Sequence, residues 1–179
     1  MKFVTLQQQI HDDDPSESAM KLPPDVEFHE DIRLLVYRPH GLLNDAAINK
    51  VLGALEDFEA KLQEPFNRFS DTLEADEVEL NFKYIIQASL HRRLSYAGRP
   101  PVKSAILATD ATAIHYGRLH AVLTQGSPIK VRVFQDRKEA ADWLGVPIER
   151  LAKPPSAVRK RIREFAGRTL TRIRLHVAI

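Results

Sequence analysis

Along the middle of this chain, segments whose apolar residues recur every three or four positions alternate with short, continuous apolar runs. This pattern restricts the fold more strongly than any other feature of the sequence. Over residues 45–63 the apolar residues recur at steps of three and four, which predicts a helix capped by Asn44 or Asp45 and stopped by Pro65. The stripe consists of Ile48, Val51, Leu52, Leu55, Phe58 and Leu62. The side expected to face water carries Glu56, Asp57, Glu59 and Lys61.

Short apolar runs typical of strands separate helical stripes of this kind. The predicted strands are 26–28 and 32–37, which form a hairpin, and 66–72, 102–108 and 129–134. The further predicted helices are 78–94, 114–123 and 140–144. Strands that alternate with helices over 26–146 predict an α/β domain. We expect a mainly parallel sheet of four to five strands with an antiparallel first strand, and helices that cover the sheet.

Composition excludes several kinds of chemistry. The chain has 179 residues and no cysteine, so a disulfide, a thiol nucleophile, an iron–sulfur cluster and a Cys-type zinc site are excluded. Hydrophobic residues make up 44% of the chain and charged residues 28%, the balance of a globular protein. No apolar run approaches the roughly 18 residues that a membrane span needs. We therefore expect a cytoplasmic protein.

Charge is distributed unevenly between the two ends. Acidic residues dominate 11–31 and basic residues dominate 150–179, although the net charge is only +2. We therefore predict an acidic flexible arm over 1–25, the α/β domain over 26–146 and a basic tail over 147–179. The two ends are interpreted as solvated segments of opposite sign, or the tail binds an anionic partner. The candidates for an anion-binding or membrane surface are Arg159, Lys160, Arg161 and Arg163.

Three stretches carry a family resemblance. They are 103–110, read as a third core strand, Ile129–Phe134, read as the last strand, and Glu139–Leu144, a closing helix with an Ala-x-x-Trp-Leu ending. In these stretches the chain resembles the SpoIIAA-like branch of the STAS-like fold, which is also compared with CRAL-TRIO lipid-transfer domains. The resemblance covers about 26–146 and implies a small regulatory or ligand-binding domain.

One departure from that family pattern concerns phosphorylation. Anti-sigma-factor antagonists of this fold carry a phosphorylatable Ser in an Asp-Ser-x-Gly turn before the second helix. Here the matching segment, 74–81, has no Ser, Thr or Gly and contains Asp76, Glu77 and Glu79. We interpret these carboxylates as stabilising a helix N-terminus through its dipole. A phosphorylation switch at this site is not expected.

Signals for catalysis are weak. Asp110 and His115 are the candidates for a ligand crevice at the strand ends, where open α/β sheets commonly bind ligands. His115 and His120 are five apart, a poor helical spacing for a metal, and the glycine motifs of nucleotide-binding loops are absent from the sequence. The basic run 91–93 is interpreted as complementing a helix C-terminus. We expect no cofactor, no metal and no catalytic residue.

Two functions are favoured, and a third, an enzyme with chemistry near Asp110 and His115, is the least favoured. The first is a non-enzymatic regulatory or protein-binding module with an unidentified protein partner, and a homodimer is compatible with it. The alternative is a protein that binds a small apolar ligand, or a lipid or anionic surface through the basic tail. Aromatic residues are only 7% of the chain and fall among core positions, which disfavours a nucleic-acid surface.

Overall fold

The computed structural model describes residues 22–62 and 64–153. Its strands are β1 (Val26–His29), β2 (Leu34–Tyr37), β3 (Gly41–Asn44), β4 (Asn67–Asp71), β5 (Ala75–Glu79), β6 (Val102–Leu107) and β7 (Ile129–Phe134). Its helices are α1 (Asp45–Lys61), α2 (Phe82–Ser95), α3 (Ala111–Leu123), α4 (Arg137–Leu144) and α5 (Ile148–Leu151). Three asparagine or aspartate side chains cap the long helices, as the sequence indicates for α1: Asn44, Asn81 and Asp110 each accept from a backbone N–H.

Five strands form the main sheet, in the order β1-β2-β4-β6-β7. β1 is antiparallel to β2, and the other neighbours are parallel. Because parallel neighbours need crossover connections, the intervening helices pack onto the sheet. The predicted fold class is confirmed: a mixed α/β domain with a mainly parallel sheet, an antiparallel first strand and helices over it.

A second, two-stranded sheet corrects the sequence prediction around residue 78. β3 and β5 pair in parallel, with Leu43 opposite Val78. We predicted Val78 as the start of a helix, but that helix, α2, begins only at Phe82. Asp76, Glu77 and Glu79 therefore lie along a strand, and their predicted role at a helix N-terminus is wrong. The hydrogen bonds between β5 and β3 hold this segment extended. Because β3 lies more than 30 residues earlier in the chain, the local sequence does not predict this strand.

One face of the main sheet is covered by α4 and α5. Alternate side chains of the strands pack there with α4 into a closed core that includes Leu34, Val36, Phe69, Ala105, Leu107 and Phe134. Leu151 of α5 is completely buried in the same core. The packed domain thus extends past 146, into the segment that we assigned to the basic tail. Arg38 reinforces this end by donating to the carbonyl oxygens of Leu151 and Ala152 at 3.3 and 3.0 Å.

The opposite face of the sheet lies under α1, α2 and α3. Here Leu35 of β2, Arg68 of β4 and Ser104 of β6 stand side by side in register. Gly117 lets α3 approach closely, since a Cβ at this position would lie 2.9 Å from Cγ2 of Val133. Among the helices of 22–153 that the structure describes, none is long and apolar enough to cross a membrane.

Candidate functional site

A cavity of about 170 Å³ lies between the sheet and the three helices α1, α2 and α3, and it is partly open to solvent. Its wall is mainly apolar. The apolar lining comes from Leu35, Leu43, Ile48, Val51, Leu52, Leu55, Leu80, Ile85, Ala88, Ile106, Ala113 and Ile129. The polar lining comes from Tyr37, Arg68, Ser70, Thr72, Ser89, Arg92, Ser104, Tyr116 and His120.

The central strands place unusual residues on this face. Strands of a parallel sheet with helices on both faces are normally apolar on both sides. β4 instead presents Arg68 and Ser70, and β6 presents Ser104. Within the described part of the chain, no hydrogen bond engages the hydroxyl groups of Ser70 and Ser104. These side chains are available to a molecule in the cavity.

Glu59 joins three elements at the polar end of the cavity. Its Oε1 accepts from Nη2 of Arg68 at 2.6 Å and from Nη2 of Arg92 at 2.5 Å. Its Oε2 accepts from Nη1 of Arg92 at 3.2 Å and from Nη1 of Arg99 at 3.4 Å. The side chains of Glu59, Arg68 and Arg92 are only 5%, 6% and 3% exposed. We predicted that Glu59 faces water, and this is wrong, because α1 turns this position toward β4 and α2.

Tyr96 closes the cluster from the C-terminal end of α2. Its buried hydroxyl accepts from Nη2 of Arg68 at 2.9 Å, and the guanidinium carbon of Arg68 lies 4.9 Å from the centre of its ring. Burial and the like charge of Arg92 lower the pKa of Arg68. Nε of Arg68 is buried and has no hydrogen-bond partner in the described residues. The cluster is therefore positively charged and incompletely satisfied.

His120 of α3 lies beside the cluster. Its Nδ1 is 2.8 Å from Oγ of Ser89, and that hydroxyl donates its single proton to the carbonyl oxygen of Ile85 at 2.6 Å. The hydroxyl must therefore accept from Nδ1–H, which leaves Nε2 of the neutral ring as an acceptor. Burial and the charges of Arg92 and Arg68 lower the pKa of His120 to about 4. The ring is neutral at physiological pH.

The residues predicted for a strand-end crevice lie elsewhere. Asp110 caps α3 through a 2.9 Å bond from the backbone N–H of Ala113 to Oδ1, and it is exposed. His115 is exposed on α3, with its ring 5.1 Å from the ring of Tyr116. Neither residue lines the cavity. The four predicted anion-binding residues, Arg159, Lys160, Arg161 and Arg163, lie outside the described residues.

Sequence reasoning missed the residues that the cavity brings together. Arg92 is interpreted in the sequence as complementing a helix end, yet it is buried and paired with Glu59. A usable signal was present in β4, where Arg68 and Ser70 alternate with Phe69 in a strand expected to be covered on both faces. Among residues 22–62 and 64–153, the structure groups no three His, Asp or Glu side chains that could hold a metal ion.

No protein-family model and no curated protein matches this chain. One similar solved structure is that of an uncharacterized protein from the DUF3478 family with a SpoIIAA-like fold, from Shewanella loihica PV-4. The sequences are 21% identical, the match covers 66% of this chain and 89% of that chain, and the TM-score is 0.43. The α/β assignment itself rests on the strand order of this chain.

Proposed function

We propose that this protein binds a small, mainly apolar molecule in the cavity between the sheet and α1, α2 and α3. The observation that carries this proposal is the cavity itself, about 170 Å³ in volume and lined mostly by aliphatic side chains. Protein interiors are close-packed, and voids larger than a water molecule are few. An apolar cavity of roughly 150 Å³ is known to accept a benzene molecule.

The few polar groups in the cavity lining are also typical of a ligand-binding site. Ligand pockets are typically apolar with a few placed polar groups that orient the ligand. In this cavity most of those groups come from β2, β4, β6, α2 and α3, so the sheet face and the helices hold them on regular elements. The volume favours a ligand with one ring or a chain of about six carbons. The proposed role is binding, with no chemical step.

A titration of the full chain with 1-hexanol, followed by ¹⁵N–¹H NMR, tests this proposal. We expect saturable shifts of amides in β4, β6 and α3. Ala88→Leu extends a side chain from the cavity wall and should weaken hexanol binding at least about tenfold, since the added atoms compete with the ligand for the available volume. Ala46→Leu makes the same change at an exposed position of α1 and should leave binding unchanged. Shifts that never saturate, or that survive Ala88→Leu, would contradict the proposal.

The regulatory or protein-binding role that the sequence predicts stays a prediction. The feature that supports it is a set of exposed apolar side chains on α2, namely Phe82, Leu90 and Leu94, which are 55%, 41% and 74% exposed. Exposed apolar groups of this size on one helix are typical of contact surfaces when they form a continuous patch.

A further inference from the structure

We propose that the ligand of this cavity is a monocarboxylic acid whose carboxylate is held by Arg68 and Arg92. This assignment rests on the proposed function, because it specifies the chemistry of the molecule that the cavity binds. Three observations support it: the excess of buried arginines at the polar end of the cavity, the buried Nε of Arg68 that has no partner in the described residues, and the apolar wall of the cavity.

The buried arginines at the polar end of the cavity outnumber the buried carboxylates. The side chains of Arg68 and Arg92 are 6% and 3% exposed, and they share a single buried carboxylate, that of Glu59. Two further charges contact this group: Arg99 contacts Glu59, and Glu56 lies 3.8 Å from Arg92, but both side chains are 45% exposed and their charges are solvated. A buried charge is costly unless it is paired. Two buried cations with one buried anion leave an excess of one positive charge, which one carboxylate would neutralise.

The hydrogen-bonding groups point to the same ligand. Both oxygens of Glu59 already accept two bonds each, so this residue has no further capacity for the guanidinium groups. Nε of Arg68 is buried without a partner in the described residues, and Arg68 lines the cavity. Guanidinium donors match the planar geometry of a carboxylate and bind it more strongly than a neutral acceptor.

The surroundings favour an acid with an apolar body and a single charge. Most of the wall is aliphatic, so the rest of the ligand must be apolar. His120 lies next to the cluster as a neutral ring and adds no positive charge. A phosphate monoester carries close to two negative charges at neutral pH and would exceed the single excess charge. A monocarboxylate such as a short fatty acid or a small aromatic acid fits both conditions.

A purely structural Arg–Glu–Arg cluster is the competing explanation. Buried ion clusters of this composition do occur in proteins without any ligand. Here, however, both guanidinium residues line a cavity that is partly open, and one of their donors is unsatisfied. The structural Arg38 also has a buried Nε without a partner among the described residues, so the feature that sets Arg68 and Arg92 apart is the cavity that they line.

The test compares three probes of equal chain length on the full protein at pH 7.5: hexanoate, 1-hexanol and hexyl phosphate. Each is titrated by ¹⁵N–¹H NMR. Because a hydrogen bond to a charged group is stronger than one to a neutral group, we expect hexanoate to bind at least about tenfold more tightly than hexanol. Arg92→Gln should remove that preference. Arg93→Gln, at the adjacent exposed position of α2, should preserve it.

The outcomes separate this inference from the function on which it rests. Equal binding of hexanoate and hexanol would overturn the carboxylate assignment while the binding function stands. Tighter binding of hexyl phosphate would also overturn it. Failure of every probe would overturn the binding function as well. If Arg92→Gln does not fold, the Nε–H resonance of Arg68 in the unmodified protein decides: it should shift with hexanoate and not with hexanol.

Discussion

Oγ of Ser89 on α2 lies 2.8 Å from Nδ1 of His120 on α3, and this contact fixes the imidazole beside two buried arginines, Arg68 and Arg92. Protonation would place a third positive charge next to Arg68 and Arg92. Burial and those charges lower the pKa of His120 from its usual 6.5 to about 4. In the unfolded chain the imidazole binds a proton near pH 6.5, so between these values the unfolded state binds more protons than the folded state.

The free energy of unfolding should therefore fall as the pH is lowered from about 6.5 to about 4. The contribution of His120 is complete above pH 6.5 and is lost by about pH 4. A shift of this size corresponds to roughly 3 kcal/mol. We expect His120→Asn, which retains a donor for Ser89, to lose this slope in urea unfolding measured at several pH values. His115→Asn, at an exposed position of α3, should keep it, and an unchanged slope in His120→Asn would contradict the interpretation.

Gly117 tests how closely α3 packs on the sheet. A Cβ at this position would lie 2.9 Å from Cγ2 of Val133 and 3.5 Å from Cδ1 of Ile106. Val has a stiff side chain, so either the helix or the strand must move. We expect Gly117→Ala to lower the free energy of unfolding by roughly 1–3 kcal/mol despite the better helix propensity of alanine.

The matched control for Gly117 is Gly53 in the middle of α1. A Cβ there meets no atom within 4 Å, and the helical backbone suits alanine. Gly53→Ala should therefore raise the free energy of unfolding by about 0.5–1 kcal/mol. Combining Gly117→Ala with Val133→Ala should recover part of the loss in urea unfolding. Stabilisation by Gly117→Ala alone would show that α3 does not rest on Val133.

The framework of the fold was predictable because local signals and tertiary packing agree in it. The alternation of Ile129, Val131 and Val133 with charged residues predicts β7, which is observed at Ile129–Phe134. Asn44 before the apolar stripe predicts the start of α1, and its side chain accepts from the N–H of Ala47 at 3.0 Å. Each of these signals acts within a few residues, and nothing distant opposes it.

The cavity was not predictable in the same way, because its polar end depends on contacts between distant segments. Glu59 lies on the side of the α1 pattern that would normally face water, and only the positions of β4 and α2 bring Arg68 and Arg92 to it. The pairing of β3 with β5 is similar, since their short segments carry no clear alternation of their own. The spacing of apolar residues along the sequence shows which face of a helix or strand is apolar. It does not show where the packing against that face leaves a cavity.

Leu151 tests whether α5 belongs to the domain. Its side chain is completely buried in the core under the sheet, although the sequence places it in a basic segment. Leu151→Ala should lower the free energy of unfolding by about 2–5 kcal/mol through lost burial and the space left behind. Ile148→Ala, in the same helix at a position 40% exposed, should cost less than about 1 kcal/mol. Equal effects of the two changes in urea unfolding would place α5 outside the core.

Glu59 should be the carboxylate on which the domain depends most. It is the one buried acid that both Arg68 and Arg92 contact in the described residues, and removing one member of a buried ion cluster leaves the others uncompensated. We expect Glu59→Gln to lower the free energy of unfolding by roughly 3–5 kcal/mol. Glu56 lies one turn earlier and 3.8 Å from Arg92, but its side chain is 45% exposed, so Glu56→Gln should cost no more than about 1 kcal/mol.

A double-mutant cycle identifies the origin of that loss. In Glu59→Gln the charges of Arg68 and Arg92 repel each other without a shared partner, so removing one of them should relieve the strain. The combination of Glu59→Gln with Arg92→Gln should therefore cost less in urea unfolding than the sum of the two single changes, by about 1–3 kcal/mol. Strict additivity would mean that Glu59 stabilises the domain through packing or through Arg68 alone. A coupling of this size would show that Glu59 and Arg92 stabilise the domain as a directly interacting pair.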